Sequence, residues 1–167
     1  TCDNIPEESV QKIFLTAENG VEIGGMLTED MTLYPNVHYV VTQSIAIPEG
    51  VTLTIKPGTV LKFRDNTGIS CAGNINCVGK PDSMIVFTGA LYPLYTQFND
   101  FKAESDTISY ALFENLELID RWRGSFENCI IRNCSFGNDF YYTKTSKSNI
   151  CENYIDESLS FIYYINC

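Results

Sequence analysis

The apolar positions of this chain fall in short alternating runs rather than in helical stripes. From Tyr39 onward they read Ile45-x-Ile47, Val51-x-Leu53-x-Ile55, Val60-Leu61-x-Phe63, Ile69-x-Cys71, Ile75-x-Cys77 and Ile85-x-Phe87. Turn chemistry separates them: Pro48-Glu49-Gly50, Lys56-Pro57-Gly58 and Gly79-Lys80-Pro81. Side chains two apart along a strand share a face, so the pattern predicts short strands with one buried side. Strands this short build a sandwich poorly and stack well as rungs. Upstream, Pro6 to Phe14 sets Val10, Ile13 and Phe14 at helical spacing after a proline suited to a first turn, which predicts a short helix or capping turn.

The runs repeat. Ile45 to Ile69, Ile47 to Cys71 and Phe63 to Phe87 are 24 apart, and Leu53 to Ile75 and Ile55 to Cys77 are 22 apart. Further on, Ile108-Ser-Tyr-Ala-Leu-Phe-Glu-Asn115 matches Ile131-Arg-Asn-Cys-Ser-Phe-Gly-Asn138 at an offset of 23, and a weaker copy starts at Ile150, offset 19. A period near 22 residues, made of strands with no helix between them, predicts an all-β solenoid whose coils share one core. No leucine-rich L-x-x-L-x-L frame is present. The asparagines at 115, 128, 133, 138, 149 and 153 are expected at rung turns, with stacked amides bonding the next coil.

Composition narrows the class. Hydrophobic residues at 44% and charged residues at 19% fit a globular core and exclude a disordered chain, a collagen or a charged coiled coil. The 167 residues suffice for one domain. A net charge of −10 removes nucleic acid as the default partner, because a phosphate backbone would be repelled. Apolar runs such as Tyr39-Val40-Val41 fall far short of a membrane helix, so no transmembrane segment is expected. Seven cysteines (2, 71, 77, 129, 134, 151 and 167) is an odd count without zinc spacing. They read either as buried apolar residues or as disulfides of a secreted chain. Thr-Cys-Asp-Asn at the start fits a lipid anchor near Cys2 after leader removal, and equally a cloning boundary or a chance cysteine.

Tyr39 to Phe63, followed by Gly73, Gly79 and Ile85-Val-Phe-Thr88, resembles the opening coils of right-handed parallel β-helix repeat proteins with the pectate-lyase-like fold, which are secreted and surface proteins, chiefly bacterial. The likeness is specific from Thr32 to Gly89 and looser through Asn166. It implies a right-handed helix of three-faced coils with an N-terminal cap and a location outside the cell or on its surface. The expected organisation is an N-terminal segment and cap over residues 1–38. A parallel β-helix of five to six coils follows over residues 39–167, extending beyond the last residue, because Phe161 to Cys167 shows no polar cap.

Candidate chemistry is thin. His38 is the sole histidine, so no Ser-His-Asp set can form, and no G-x-S-x-G elbow or phosphate loop occurs. The blocks of β-helix hydrolases are missing. Asp120-Arg121-Trp122-Arg123 is the one stretch with a lyase-like mixture of carboxylate and arginine, against the simpler reading as a solvated excursion between Leu118 and Phe126. Glu114, Glu117 and Asp120 are better read as an acidic solvated face than as cation ligands. Aromatics lead instead: Arg121, Trp122 and Arg123 with Tyr141 and Tyr142 form the candidate ligand surface, because aromatic rings offer an apolar face and a polar edge. The offset of 23 would set Asp120 near Thr143 on the neighbouring coil. The expected function is a non-catalytic adhesion or carbohydrate-recognition module, its partner an extracellular glycan or surface protein, with no cofactor or metal. A polysaccharide lyase or glycoside hydrolase and a plain structural spacer are the alternatives.

Overall fold

The computed structural model describes residues 20–89, 98–99, 107–118, 125–136, 144–146, 149–151, 154–155 and 163–165, with side chains described at 20–89, 108–116 and 126–134. Its strands are β1 (Val21–Met26), β2 (Met31–Leu33), β3 (His38–Ile47), β4 (Thr52–Ile55), β5 (Val60–Phe63), β6 (Ile69–Cys71), β7 (Asn74–Val78), β8 (Ile85–Thr88), β9 (Phe98–Asn99) and β10 (Thr107–Ser109). They continue as β11 (Ala111–Glu114), β12 (Glu117–Leu118), β13 (Ser125–Glu127), β14 (Ile130–Arg132), β15 (Ser135–Phe136), β16 (Lys144–Ser146), β17 (Asn149–Cys151), β18 (Tyr154–Ile155) and β19 (Tyr163–Ile165). The fold is a parallel β-solenoid of about four turns. One sheet runs β2-β4-β7-β10-β13-β16-β19, a second runs β17-β14-β11-β8-β5-β3-β6-β9 with β1 also paired to β3, and a third holds β12-β15-β18.

β3 serves two faces. Its first half, His38 to Val41, pairs with β5, and its second half, Ile45 to Ile47, pairs with β6. Parallel pairing already includes β1 and β2, so the ladders reach upstream of the boundary expected at residue 39. The segment with Val10, Ile13 and Phe14, and Cys2 with it, lies outside the described residues.

The early registers are those read from the spacing: Ile45 beside Ile69, Ile47 beside Cys71, Leu53 beside Ile75 and Ile55 beside Cys77. All eight are buried. Two expected registers are corrected. Leu61, not Phe63, is the ladder neighbour of Phe87, because the connection between β7 and β8, Gly79 to Met84, is longer than that between β4 and β5, Lys56 to Thr59. The offset of 23 between the Ile108 and Ile131 segments is also absent: Ile108 lies beside Phe126, and Phe113 beside Ile131, a step of 18 residues. Alternation looks alike on every face, so the sequence match laid Phe113 of one sheet over Phe136 of another. The step of 19 from Ile131 to Ile150 holds, and Phe136 pairs with Ile155 at the same step.

One core runs through the coils, and each fully buried Leu, Ile or Phe contributes roughly 1.5–3 kcal/mol. Its centre is a column of rings. Phe63 and Phe87 stack at 6.5 Å, Phe87 and Phe113 at 4.7 Å, and Phe113 meets Phe126 edge-on at 5.2 Å.

Turn chemistry fixes the corners. Val51 N–H donates to the Pro48 carbonyl, and Thr59 N–H to that of Lys56. Gly50 and Gly58 take the third position of these turns at φ 81° and 79°, as a type II turn demands. The buried Thr59 and Thr67 hydroxyls donate to the Lys56 and Arg64 carbonyls of their own turns, at 2.7 and 2.6 Å, and approach the Leu33 and Val41 carbonyls of the preceding coil at 3.4 and 3.3 Å. Later corners use asparagine in the left-handed region. Asn115, Asn128 and Asn133 lie at φ 56°, 52° and 49°, and the Asn133 amide donates to the Asn115 side-chain oxygen one coil below. The stacked amide expected at rung turns is therefore present.

Candidate functional site

Inward positions are committed to the core, so any chemistry must come from the outward ones. Outside the second sheet, Val60, Val86 and Leu112 form a buried apolar stripe against Ile130. In the adjoining column Glu114 pairs with Arg132 at 3.3 Å. Glu114 is thus held in an ion pair rather than offered as a cation ligand.

The first sheet differs on its first three rungs. Leu33, Leu53, Ile55, Ile75 and Cys77 turn inward, which leaves Thr32, Thr52, Thr54, Asn74, Asn76 and Val78 facing out. The registers align Thr32 with Thr54 and Asn76, and Thr52 with Asn74. Asn74 and Asn76 are exposed, and the three threonines are half-buried. Among the described residues none accepts or donates a hydrogen bond with the side chains of Thr32, Thr54, Asn74 or Asn76. Their backbones are held in the ladders, with the Thr52 N–H donating to Asp30 Oδ1 at 2.8 Å and the Asn74 N–H to the Val51 carbonyl. Tyr34, which follows β2, is 54% exposed, and Val78 is 51% exposed. Lys56, which follows β4, is exposed as well. Ser109, beside Val78 on the next strand, is buried, so the open platform belongs to the first three rungs.

This platform was legible only as a weak signal. The polar residues that alternate with its core positions, Thr52-x-Thr54 and Asn74-x-Asn76, are neutral and short, and Tyr34 falls next to a turn. The residues favoured from sequence, Arg121, Trp122, Arg123, Tyr141 and Tyr142, lie outside the described residues, as does Asp120. Thr143, expected beside Asp120, lies outside them too; the described strands nearby step by 18 and 19 residues.

The four described cysteine side chains, Cys71, Cys77, Cys129 and Cys134, are built into the core. Burial pushes the Cys77 thiol well up, with neighbouring Cys129 adding to it, and pushes those of Cys129 and Cys134 up to about 12. The Cys129 thiol donates to the Ile108 and Glu127 carbonyls and the Cys134 thiol to that of Arg132. Such thiols stay protonated near neutral pH and make poor nucleophiles. Among the described residues no three His, Cys, Asp or Glu side chains converge to hold a metal ion. A cleft of about 410 Å³ opens at the first coil, with Glu22 as its one carboxylate among Ile23, Leu27, Met31 and uncharged neighbours.

A stretch of 81 residues, 48% of the chain, is 31% identical to the protein named Protein bark beetle of Drosophila melanogaster. The chain spans about 3% of the length of that relative. No family model matches the chain, and no solved structure does.

Proposed function

We propose that this chain is a right-handed parallel β-helix module with an N-terminal cap, acting without catalysis outside the cell or at its surface in carbohydrate recognition or adhesion. Right-handed winding is supported by the strong preference of parallel crossover connections for that hand. The observation that carries the function is the platform of Thr32, Thr52, Thr54, Asn74 and Asn76 beside the exposed ring of Tyr34. Hydroxyl and amide groups without internal partners, next to an aromatic face, are the groups that hold sugar hydroxyls and pyranose rings. A second contact region at Arg121, Trp122, Arg123, Tyr141 and Tyr142 rests on the sequence alone, where aromatic and arginine side chains cluster.

The test is a glycan array probed with the whole chain, followed by Tyr34→Ala and Trp122→Ala variants checked for unchanged thermal unfolding. Binding that weakens in either variant supports the reading. A chain that binds no glycan on the array acts as a spacer or docks to protein instead. Should Trp122→Ala unfold the domain, Trp122 is core and the second region is abandoned.

A further inference from the structure

From the make-up of the platform we infer its ligand class: an uncharged glycan lying along the solenoid axis across the first three rungs. This inference rests on the carbohydrate-recognition reading above. The chain carries a net charge of −10, yet the outward residues of β2, β4 and β7 are Thr32, Thr52, Thr54, Asn74, Asn76 and Val78, none of them ionisable. One charge of each sign flanks them, because the registers set Asp30 in line with Thr52 and Asn74, and Lys56 in line between Tyr34 and Val78. Asp30 already accepts the Thr52 N–H, and Lys56 is exposed just beyond the end of β4.

A uronate or sulfate lying here would meet the repulsive field of the whole molecule and the carboxylate of Asp30, against only Lys56 and Lys80 as nearby exposed cations among the described residues. A neutral sugar meets neither cost. Each amide offers two donors and an acceptor, and each threonine hydroxyl one donor and two acceptor sites, which suits the vicinal hydroxyls of a pyranose. Rungs are ~4.8 Å apart, and outward neighbours on one strand are ~6.6 Å apart. The aligned Thr32, Thr54 and Asn76 therefore form a straight row parallel to the axis, with a second row, Thr52 and Asn74, beside it. Tyr34 at the first rung supplies the ring for stacking, and Val78 at the third an apolar contact.

The experiment is calorimetric titration of the whole chain with hexasaccharides of β-1,4-glucose, β-1,4-mannose and β-1,4-N-acetylglucosamine, and with oligogalacturonate and a sulfated hexasaccharide. At least one neutral oligomer should bind at least tenfold more tightly than either acidic one. Tyr34→Ala and the double change Asn74→Ala with Asn76→Ala should each weaken it at least tenfold, and Tyr34→Phe should retain it. Circular dichroism melts should stay unchanged, because all three positions are exposed. Preference for an acidic oligomer, or neutral binding indifferent to these changes, overturns the inference and leaves glycan recognition standing. Failure of every oligomer to bind refutes both.

Discussion

Phe87→Ala should be among the costliest single changes in this molecule. The ring is fully buried and lies between two others, 6.5 Å from Phe63 and 4.7 Å from Phe113. Removing it deletes the side chain's transfer energy and leaves a cavity in mid-column that ladder-bonded strands cannot close, a loss of about 3–5 kcal/mol. Against a total stability of roughly 5–15 kcal/mol, that is a large fraction. In a solenoid each coil leans on its neighbours, so a gap here also weakens the coupling between the coils below and above it. Urea unfolding followed by far-ultraviolet circular dichroism measures the loss, and a broadened or two-step transition would report the uncoupling. Met26→Ala, at a side chain 70% exposed, is the matched control and should stay within about 0.5 kcal/mol of the parent. If Phe87→Ala lies within 1 kcal/mol of that control, the ring column does not hold the coils together.

At the Asn115 corner, Asn115→Gly should cost about 1 kcal/mol, the lost amide contact with Asn133, whereas Asn115→Ala should cost about 1–2 kcal/mol more by forcing a Cβ into φ 56°; paired denaturation curves separate the two. Thr59→Val keeps the shape but removes a buried hydroxyl that donates to the Lys56 carbonyl, and should lower stability by about 1–3 kcal/mol in the same assay. Cys129 and Cys134 ionise only near about 12 when folded, above the ordinary thiol value of 9.0 that they regain on unfolding. Their contribution is therefore complete below pH 9 and is lost as pH rises from 9 towards 12. A stability profile over that range should fall less steeply in Cys129→Ala, and alkylation at pH 8 should label these thiols only after unfolding.

How much of this could be read from the residues alone follows from what alternation encodes. Ile45, Ile47, Leu53 and Ile55 announced both their burial and their partners, because the early coils repeat at nearly constant length. The Ile108 and Ile131 segments misled for the same reason. Period-two patterning marks a residue as inward without saying on which of several faces, so Phe113 and Phe136 matched although they occupy different sheets. Register is set by the length of each corner, and neither Gly79 to Met84 nor Asn115-Leu116 advertises its length through hydrophobicity. The platform was harder still to see. Thr52, Thr54, Asn74 and Asn76 are ordinary residues for an outward strand position, and only the register shows that they line up.

The position of that platform has a physical reason. A solenoid keeps its inward columns apolar on every coil, so recognition can be placed only where outward positions are contiguous and flat. By alternation, a three-residue strand such as β6 offers one outward position, Ser70, while β7, with five residues, offers three: Asn74, Asn76 and Val78. Stacked on β4 and β2, it gives rows that run across strands as well as along them. The apolar stripe of Val60, Val86 and Leu112 is equally regular, but its burial withdraws it from solvent. Transplanting the outward residues of β2, β4 and β7, together with Tyr34, onto an inert solenoid of the same register should therefore carry neutral-glycan binding with them. A transplant that folds but stays silent would mean that the rows are insufficient and that residues beyond the first three rungs complete the site.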